Sequence, residues 1–131
     1  MPTTDYNKHF TDLYGLIKQL RGPNGCPWDK KQTPESIKKY LIEEAGELAE
    51  AVSHKNSQHV CEEIGDLLFI LMMIIRIYEE DNNFTIKDVL TEVYKKMVRR
   101  HPHVFAGKET GNDLELKEQW EAIKAQENNK T

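Results

Sequence analysis

The amino-acid sequence predicts an all-α protein, an antiparallel bundle of about four to five helices. Apolar residues recur at intervals of three and four along most of the chain, which is the spacing of one face of a helix. No segment keeps apolar and polar residues in alternation long enough to indicate a β-strand. At 131 residues the chain has the length of one domain. We therefore expect a single domain over residues 1–131, with its core at about 5–126.

Residues that begin or end helices divide the chain. Thr33 is a suitable N-cap, and Pro34 follows it at the first helical position. The pair His101-Pro102 ends a later apolar stripe. These signals and the apolar spacing predict helices over residues 5–20, 34–53, 58–80, 85–100 and 114–126. The second helix is expected to bury Ile37, Leu41, Ala45, Leu48 and Val52. Residues 127–131 are expected to form a loose tail.

The composition restricts the class of partner. The net charge is -4, with 31% charged and 38% hydrophobic residues, which is typical of a globular protein. A negative net charge argues against nucleic acid or an anionic membrane as the main partner, because both attract basic surfaces. Cys26 and Cys61 lack metal-ligand spacing, and the N-terminal residues show no export signal, so we expect reduced thiols and a cytoplasmic protein. The apolar run 67–75 is too short to span a bilayer.

The strongest functional signal is a pair of acidic clusters on the second and third predicted helices, at residues 43–47 and 62–66. Acids three residues apart share one helix face. The short link between these helices predicts antiparallel packing, which would bring the two clusters opposite each other. Carboxylates in one place repel unless a cation lies among them, and oxygen ligands suit a hard ion such as Mg²⁺ or Mn²⁺. The acids on these faces are Glu44, Glu47, Glu63 and Asp66.

Acidic residues on a helix more often form a solvated face than a metal site. Here the clusters adjoin apolar residues such as Leu48 and Ile64, which places the acids at the edge of the expected core. Gly46 and Gly65 lie inside the clusters, although glycine inside a helix costs about 1 kcal/mol relative to alanine. Close helix packing or room for a ligand would explain them. A di-iron carboxylate site is excluded, because the chain lacks a Glu-x-x-His motif.

Four segments of the chain resemble motifs of the MazG nucleotide pyrophosphohydrolase family. They are the CPWD loop at 25–33, the EIGDLLF stretch at 63–69, the RRHPHVF segment at 99–105 and the W-x-x-I-K motif at 119–124. The Glu-Glu-x-x-Glu and Glu-x-x-Asp patterns of the acidic clusters also resemble this family. The resemblance covers about residues 10–126. It implies a single MazG domain, most similar to the first repeat of relatives that carry two in tandem.

The resemblance implies hydrolysis of a nucleoside triphosphate between its α and β phosphates, which gives the monophosphate and pyrophosphate. It also implies that Mg²⁺, or Mn²⁺ in its place, is held by Glu44, Glu47, Glu63 and Asp66. Glu43 and Glu62 would orient these ligands or act as the base for the attacking water. Lys96 and Arg100 would contact the phosphates, and Trp120 would cover the base or close the pocket. The alternatives are cations that stabilise a helix C-terminus and a tryptophan that only packs.

The role implied by this family is the removal of non-standard or surplus nucleoside triphosphates. The alternatives are a narrower dUTPase-like or phosphoribosyl-ATP pyrophosphohydrolase, and a non-catalytic protein that binds nucleotides or a regulatory partner. The run 67–75 is apolar in every direction around its helix, which is more apolar surface than one small chain covers. We therefore expect a homodimer or a higher homo-oligomer, with Ile70 or Met73 at the interface.

Overall fold

The computed structural model describes residues 5–128, and the regular secondary structure of this part of the chain is entirely helical. The predicted all-α class is therefore confirmed. The helices are α1 (Tyr6–Leu20), α2 (Pro27–Lys30), α3 (Pro34–Ser53), α4 (Ser57–Glu80), α5 (Ile86–Arg100), α6 (Pro102–Phe105) and α7 (Asp113–Asn128). Glu127 and Asn128, which we expected in a loose tail, belong to α7. The rest of that expected tail, 129–131, lies outside the described residues.

The long helices agree with the predicted bounds to within two residues, and side-chain caps mark the starts of α1, α3 and α4. At the start of α3, the backbone N–H of Ser36 donates to Oγ1 of Thr33 over 3.2 Å, and the N–H of Thr33 donates to Oγ of Ser36 over 2.8 Å. This reciprocal pair satisfies two helix-end donors. The single-turn helices α2 and α6 were not predicted. Each begins with proline at its first position, and one turn is too short to show an apolar period.

The contacts within the chain form two compact units, Met1–Ile86 and Lys87–Thr131. The first unit contains α1 to α4, and the second contains nearly all of α5 together with α6 and α7. The single domain over residues 1–131 stays a prediction.

The core of the first unit is formed where α3 and α1 pack against α4. Its buried side chains are Tyr14, Ile17, Ile37, Ile70, Met72, Met73 and Ile77. Ile70 is 8% exposed and Met73 is 0% exposed, so the prediction that either lies at an interface between copies is wrong. Both side chains instead fill the interior of their own unit, and the exposed apolar residues of α4 are Ile64, Leu68 and Leu71.

The inward face of α3 differs from the predicted one. Ile37 and Ala51 are buried, and Leu41, Glu44 and Leu48 between them are partly buried. Ala45 and Val52, which we expected to be buried, are exposed. The residues of the inward face form a regular helical stripe, with intervals of four, three, four and three. In this stripe Glu44 occupies a position that an apolar residue would normally take. The consequence is that a carboxylate points toward the core of the hairpin.

Arg21, at the C-terminal end of α1, ties the CPWD loop to the end of α4. Its Nε and Nη2 donate to the two oxygens of Glu80 over 2.9 and 2.8 Å, and its Nη1 donates to the backbone oxygens of Asp29 and Gln32 over 2.5 and 3.2 Å. The turn itself requires glycine at Gly25, because a Cβ there would lie 2.0 Å from the backbone oxygen of Leu20. Arg21 therefore fixes the backbone of the loop and connects it to Glu80 at the end of α4.

In the second unit, two histidines at the short helix α6 connect α5 to α7: His101, its N-cap, and His103 within it. Nδ1 of His101 donates to the backbone oxygen of Met97 over 2.5 Å, since a carbonyl oxygen can only accept. The His101 ring meets the Trp120 ring edge-on at 5.4 Å, and Nε2 of Gln119 lies 3.0 Å from Nδ1 of His103. Both histidines therefore stabilise the turn between α5 and α7. Among the described residues, no helix is long and apolar enough to cross a membrane.

Candidate functional site

The hairpin of α3 and α4 brings three of the predicted metal ligands together. One carboxylate oxygen each from Glu44, Glu63 and Asp66 lies within 4.8 Å of the other two. Glu63 is buried and Glu44 is partly buried, because both lie on the faces by which the two helices pack. Asp66 lies one turn after Glu63 and is exposed. The set offers only oxygen donors, which are the ligands that hard divalent cations prefer.

Two oxygens of this cluster have no hydrogen-bond donor. Oε2 of Glu44 and Oε2 of Glu63 are buried and unpartnered among the described residues. A buried carboxylate oxygen without a donor is destabilising, because it has lost its hydration without compensation. Burial first, and then the carboxylates of Glu47, Asp66 and Glu63, raise the pKa of Glu44 above its ordinary value. A bound cation would reverse each of these effects, so the residues fit a metal ion.

His59 also belongs to the cluster, which the sequence analysis did not recognise. Its Nε2 lies 3.1 Å from Oε1 of Glu63, and the ring nitrogen is the donor because a carboxylate accepts. The two residues are four apart on α4, the spacing at which side chains of a helix meet. That spacing was a usable signal. Glu63 therefore has one oxygen held by His59, while its other oxygen, Oε2, is buried and has no donor among the described residues.

The other predicted acids lie around this group of three. Glu47 is exposed on α3 and influences the pKa of Glu44, but it is not one of the three residues with converging oxygens. Glu43 and Glu62 are exposed on α3 and α4. Their roles as base or orienting groups stay predictions.

Close packing of α3 on α4 does not explain Gly46 and Gly65. A Cβ built at either position would meet no atom of its surroundings within 4 Å among the described residues. Both glycines are exposed, so α3 and α4 do not approach each other there. Close helix packing is therefore wrong as an explanation for these positions, and room for a ligand stays a prediction.

In the second unit, the structure brings Arg100 and Trp120 together. The guanidinium carbon of Arg100 lies 4.9 Å from the centre of the Trp120 ring, within the range of a cation–π interaction. Nη2 and Nε of Arg100 donate to Oε1 of Glu127 over 2.7 and 3.2 Å. Lys96 lies one turn before Arg100 on α5 and is exposed. Glu127 was missed, although it lies seven residues after Trp120 and so shares its helix face.

A cavity of about 690 Å³ lies in the second unit. Its lining includes Arg99, Lys108, Gln119, Ile123 and Glu127. None of the predicted site residues lines it. The cavity is therefore distinct from the acidic cluster.

The fold and the acidic cluster define a class of protein: it is all-α, and two packed helices carry a cluster of three carboxylates that could hold a metal ion. A model of the MazG nucleotide pyrophosphohydrolase domain matches residues 32–105, more than half of the chain. The chain belongs to this family. The prediction drawn from the motifs is confirmed.

Several known proteins are similar to the chain over most of its length. The Bacillus subtilis protein YabN is 46% identical over 120 residues, and the nucleoside triphosphate pyrophosphohydrolase/pyrophosphatase MazG of Thermotoga maritima is 47% identical over 121. Both alignments cover 92% of this chain, but only 24% and 46% of the respective relatives. The crystal structure of a mazG-related protein from Thermotoga maritima superposes with a TM-score of 0.73 at 28% identity, covering 88% of this chain and 98% of that one.

Proposed function

We propose that the chain is a nucleoside triphosphate pyrophosphohydrolase, which cleaves its substrate between the α and β phosphates and uses Mg²⁺, or Mn²⁺ in its place. The observation that carries this proposal is the pair of unpartnered, buried carboxylate oxygens on Glu44 and Glu63. Proteins leave such oxygens without a donor where a cation or a reaction requires them. The name of the Thermotoga maritima relative, a nucleoside triphosphate pyrophosphohydrolase, supports the same activity.

We assign the metal to Glu44, Glu63 and Asp66, with Glu47 as the fourth ligand. When bound, a divalent cation supplies charge neutralisation for the phosphates and polarises water. The protein's part is to position the carboxylates: His59 donates to Oε1 of Glu63, and Oε2 of the same carboxylate has no donor and is available to a cation. Glu43 or Glu62, both exposed beside the ligands, would accept the proton of the attacking water or orient a ligand.

We assign substrate binding outside the metal to Lys96, Arg100 and Trp120. A triphosphate carries more negative charge than one divalent ion neutralises, and the planar guanidinium of Arg100 suits phosphate oxygens. The Trp120 ring offers an apolar surface for a nucleobase or a lid over it. The cation–π contact between Arg100 and Trp120 supports a joint role for these two residues.

We further propose that the working form is a homodimer or a higher homo-oligomer. On α4, Ile64, Leu68 and Leu71 form an exposed apolar stripe at intervals of four and three. On α3, Ile42 and Val52 are exposed in the same way. A second copy would cover the stripe of α4 and these exposed residues of α3 about a two-fold axis. The cytoplasm and the removal of non-standard or surplus nucleotides remain the proposed setting and role.

The test is an assay of pyrophosphate release from a panel of standard and non-standard ribo- and deoxyribonucleoside triphosphates, with Mg²⁺ and with a chelator. We expect release that depends on the metal, and a fall in kcat of about a hundredfold or more for Asp66→Asn. Glu50→Gln, an exposed acid elsewhere on α3, is the matched control and should retain activity. Activity on one substrate alone would favour the narrower enzyme, and triphosphate binding without hydrolysis would favour the non-catalytic protein.

The position of cleavage is tested by hydrolysis in ¹⁸O-labelled water. Attack on the α phosphorus places the label in the monophosphate and none in the pyrophosphate. Release of orthophosphate and a diphosphate would contradict the proposed chemistry.

A further inference from the structure

Glu127 near the end of α7 connects two adjacent arginines at the end of α5. Its Oε2 accepts from Nε of Arg99 over 2.5 Å, and its Oε1 accepts from both Nη2 and Nε of Arg100. Neighbouring residues of a helix point about 100° apart, so both side chains must turn toward the same carboxylate to reach it. The side chains of Glu127 and Arg100 are 19% and 14% exposed, which makes this an ordered contact rather than a loose surface pair.

The contact determines which donors of Arg100 remain free. One edge of the guanidinium, formed by Nε and Nη2, faces Glu127, and its central carbon lies 4.9 Å from the centre of the Trp120 ring. Nη1 has no hydrogen-bond partner among residues 5–128. A guanidinium hydrogen-bonded along one edge and packed against an aromatic ring is restricted in its orientation, and so are its remaining Nη1–H donors.

The charges also indicate that Glu127 orders the two arginines and does not compete with a phosphate for them. Arg99 and Arg100 are adjacent like charges, which repel each other and would separate in the absence of an acid between them. With Glu127 the group still carries one net positive charge, so it continues to attract an anion. The long arginine side chain is then ordered before a ligand arrives, which lowers the entropic cost of binding.

We infer that Glu127 is a positioning residue for the triphosphate: it holds Arg100 against Trp120 so that Nη1 is presented to a phosphate oxygen. This inference rests on the proposed function, since it assigns Arg100 to the substrate. Glu127 itself does not touch the substrate. The rival interpretation is that Glu127 occupies Arg100 in place of a phosphate and must be displaced, and the two make opposite predictions for affinity.

The experiment measures turnover and binding in the same set of full-length proteins. Trp28→Phe supplies the background, because Trp120 is then the only tryptophan, and its emission reports both the Arg100 contact and ligand binding. In this background Glu127→Gln is compared with Glu121→Gln, an exposed acid of α7 that forms no ion pair within residues 5–128. Arg100→Ala and the double variant Arg100→Ala with Glu127→Gln complete a double-mutant cycle.

We expect Glu127→Gln to raise KM, and the Kd of a non-hydrolysable triphosphate, about tenfold, as loss of an ordered charge-assisted contact does. kcat should change by less than KM, and Trp120 emission should shift without ligand as Arg100 leaves the ring. Glu121→Gln should match the background. In the Arg100→Ala protein, adding Glu127→Gln should change neither KM nor Kd, because its effect is exerted through Arg100.

Tighter triphosphate binding by Glu127→Gln would overturn the inference in favour of competition. An equal tenfold loss in the Arg100→Ala protein would overturn it in favour of a general structural role. If the background protein releases no pyrophosphate, the proposed function fails, and the binding measurements still decide the role of Glu127. If it binds no triphosphate at all, the inference fails with it.

Discussion

The hydroxyl of Tyr14 on α1 donates a hydrogen bond of 2.6 Å to Oε1 of Glu79 on α4. The other carboxylate oxygen of Glu79 accepts from the backbone N–H of Ile86 over 2.7 Å, so one acid joins α1, α4 and the start of α5. Burial by itself raises the pKa of Glu79. The hydrogen bonds from Tyr14, Ile86 and Arg76 outweigh burial, and the pKa lies below its ordinary value.

Tyr14→Phe should lower the free energy of unfolding by about 1 kcal/mol, the usual loss for one hydrogen bond when the ring remains packed. Urea unfolding measures it. Tyr94→Phe removes a hydroxyl from a side chain that is 70% exposed, and its unfolding free energy should stay within about 0.5 kcal/mol of wild type. Equal stability of the two variants would show that the Tyr14–Glu79 bond contributes nothing.

The protein should lose stability as the pH falls from about 5 toward 2. Hydrogen bonds from Arg100 and then Arg99 lower the pKa of Glu127 from 4.5 to about 2, and a hydrogen bond from Arg21 lowers that of Glu80. A carboxyl with a lower pKa in the folded state stabilises the fold above its unfolded pKa, because the unfolded chain binds the proton more readily. Protonation therefore favours unfolding across this window.

Glu127→Gln removes one of these groups, so its melting temperature should depend less steeply on pH between about 5 and 2 than that of wild type. Glu121→Gln is the control. Melting temperatures recorded at intervals across the window measure the difference. Identical slopes for Glu127→Gln and wild type would mean that the Arg99 and Arg100 pairs with Glu127 do not form in solution.

Metal binding should be visible in thermal unfolding without any assay of activity. Burial and the neighbouring carboxylates raise the pKa of Glu44, so folding disfavours its charged form, and Glu44→Gln should increase the stability of the metal-free protein. Wild type should gain stability with Mg²⁺, by about 2.7 kcal/mol at a hundred times Kd. Glu44→Gln should gain little, and Glu50→Gln should behave as wild type. A Mg²⁺ response that survives in Glu44→Gln would remove Glu44 from the metal site.

The proposed oligomer should depend on the exposed face of α4. Leu68 is 39% and Leu71 is 42% exposed, so a glutamate at either position is tolerated by the unit itself and disfavoured only in an apolar interface. Leu68→Glu and Leu71→Glu should shift the mass in sedimentation equilibrium toward 15.3 kDa at low micromolar concentration. Gln58→Glu adds the same charge at an exposed polar position of α4 and should not. A wild-type protein of 15.3 kDa would contradict the proposal.

Local patterns in the sequence determined the fold class, the long helices and three acids of the cluster, Glu44, Glu63 and Asp66, but they did not identify His59. Thr33 and Pro34 predicted the start of α3 because a capping box is made by residues adjacent in the chain. Glu63 and Asp66 could be paired because three residues along a helix return to the same face. The family also follows from contiguous motifs, and the match over residues 32–105 confirms it.

Tertiary structure decided what no local pattern contains. α3 has apolar residues on two sides, so its spacing allowed either Ala45 or Glu44 to face inward, and packing on α4 chose Glu44. The partners Arg100 and Glu127 are 27 residues apart in the chain, and nothing in either neighbourhood indicates the other. The spacing of apolar residues in the sequence shows which side chains share one face of a helix. Which side of the helix is buried, and which distant charge meets it, depends on the surface against which that helix packs.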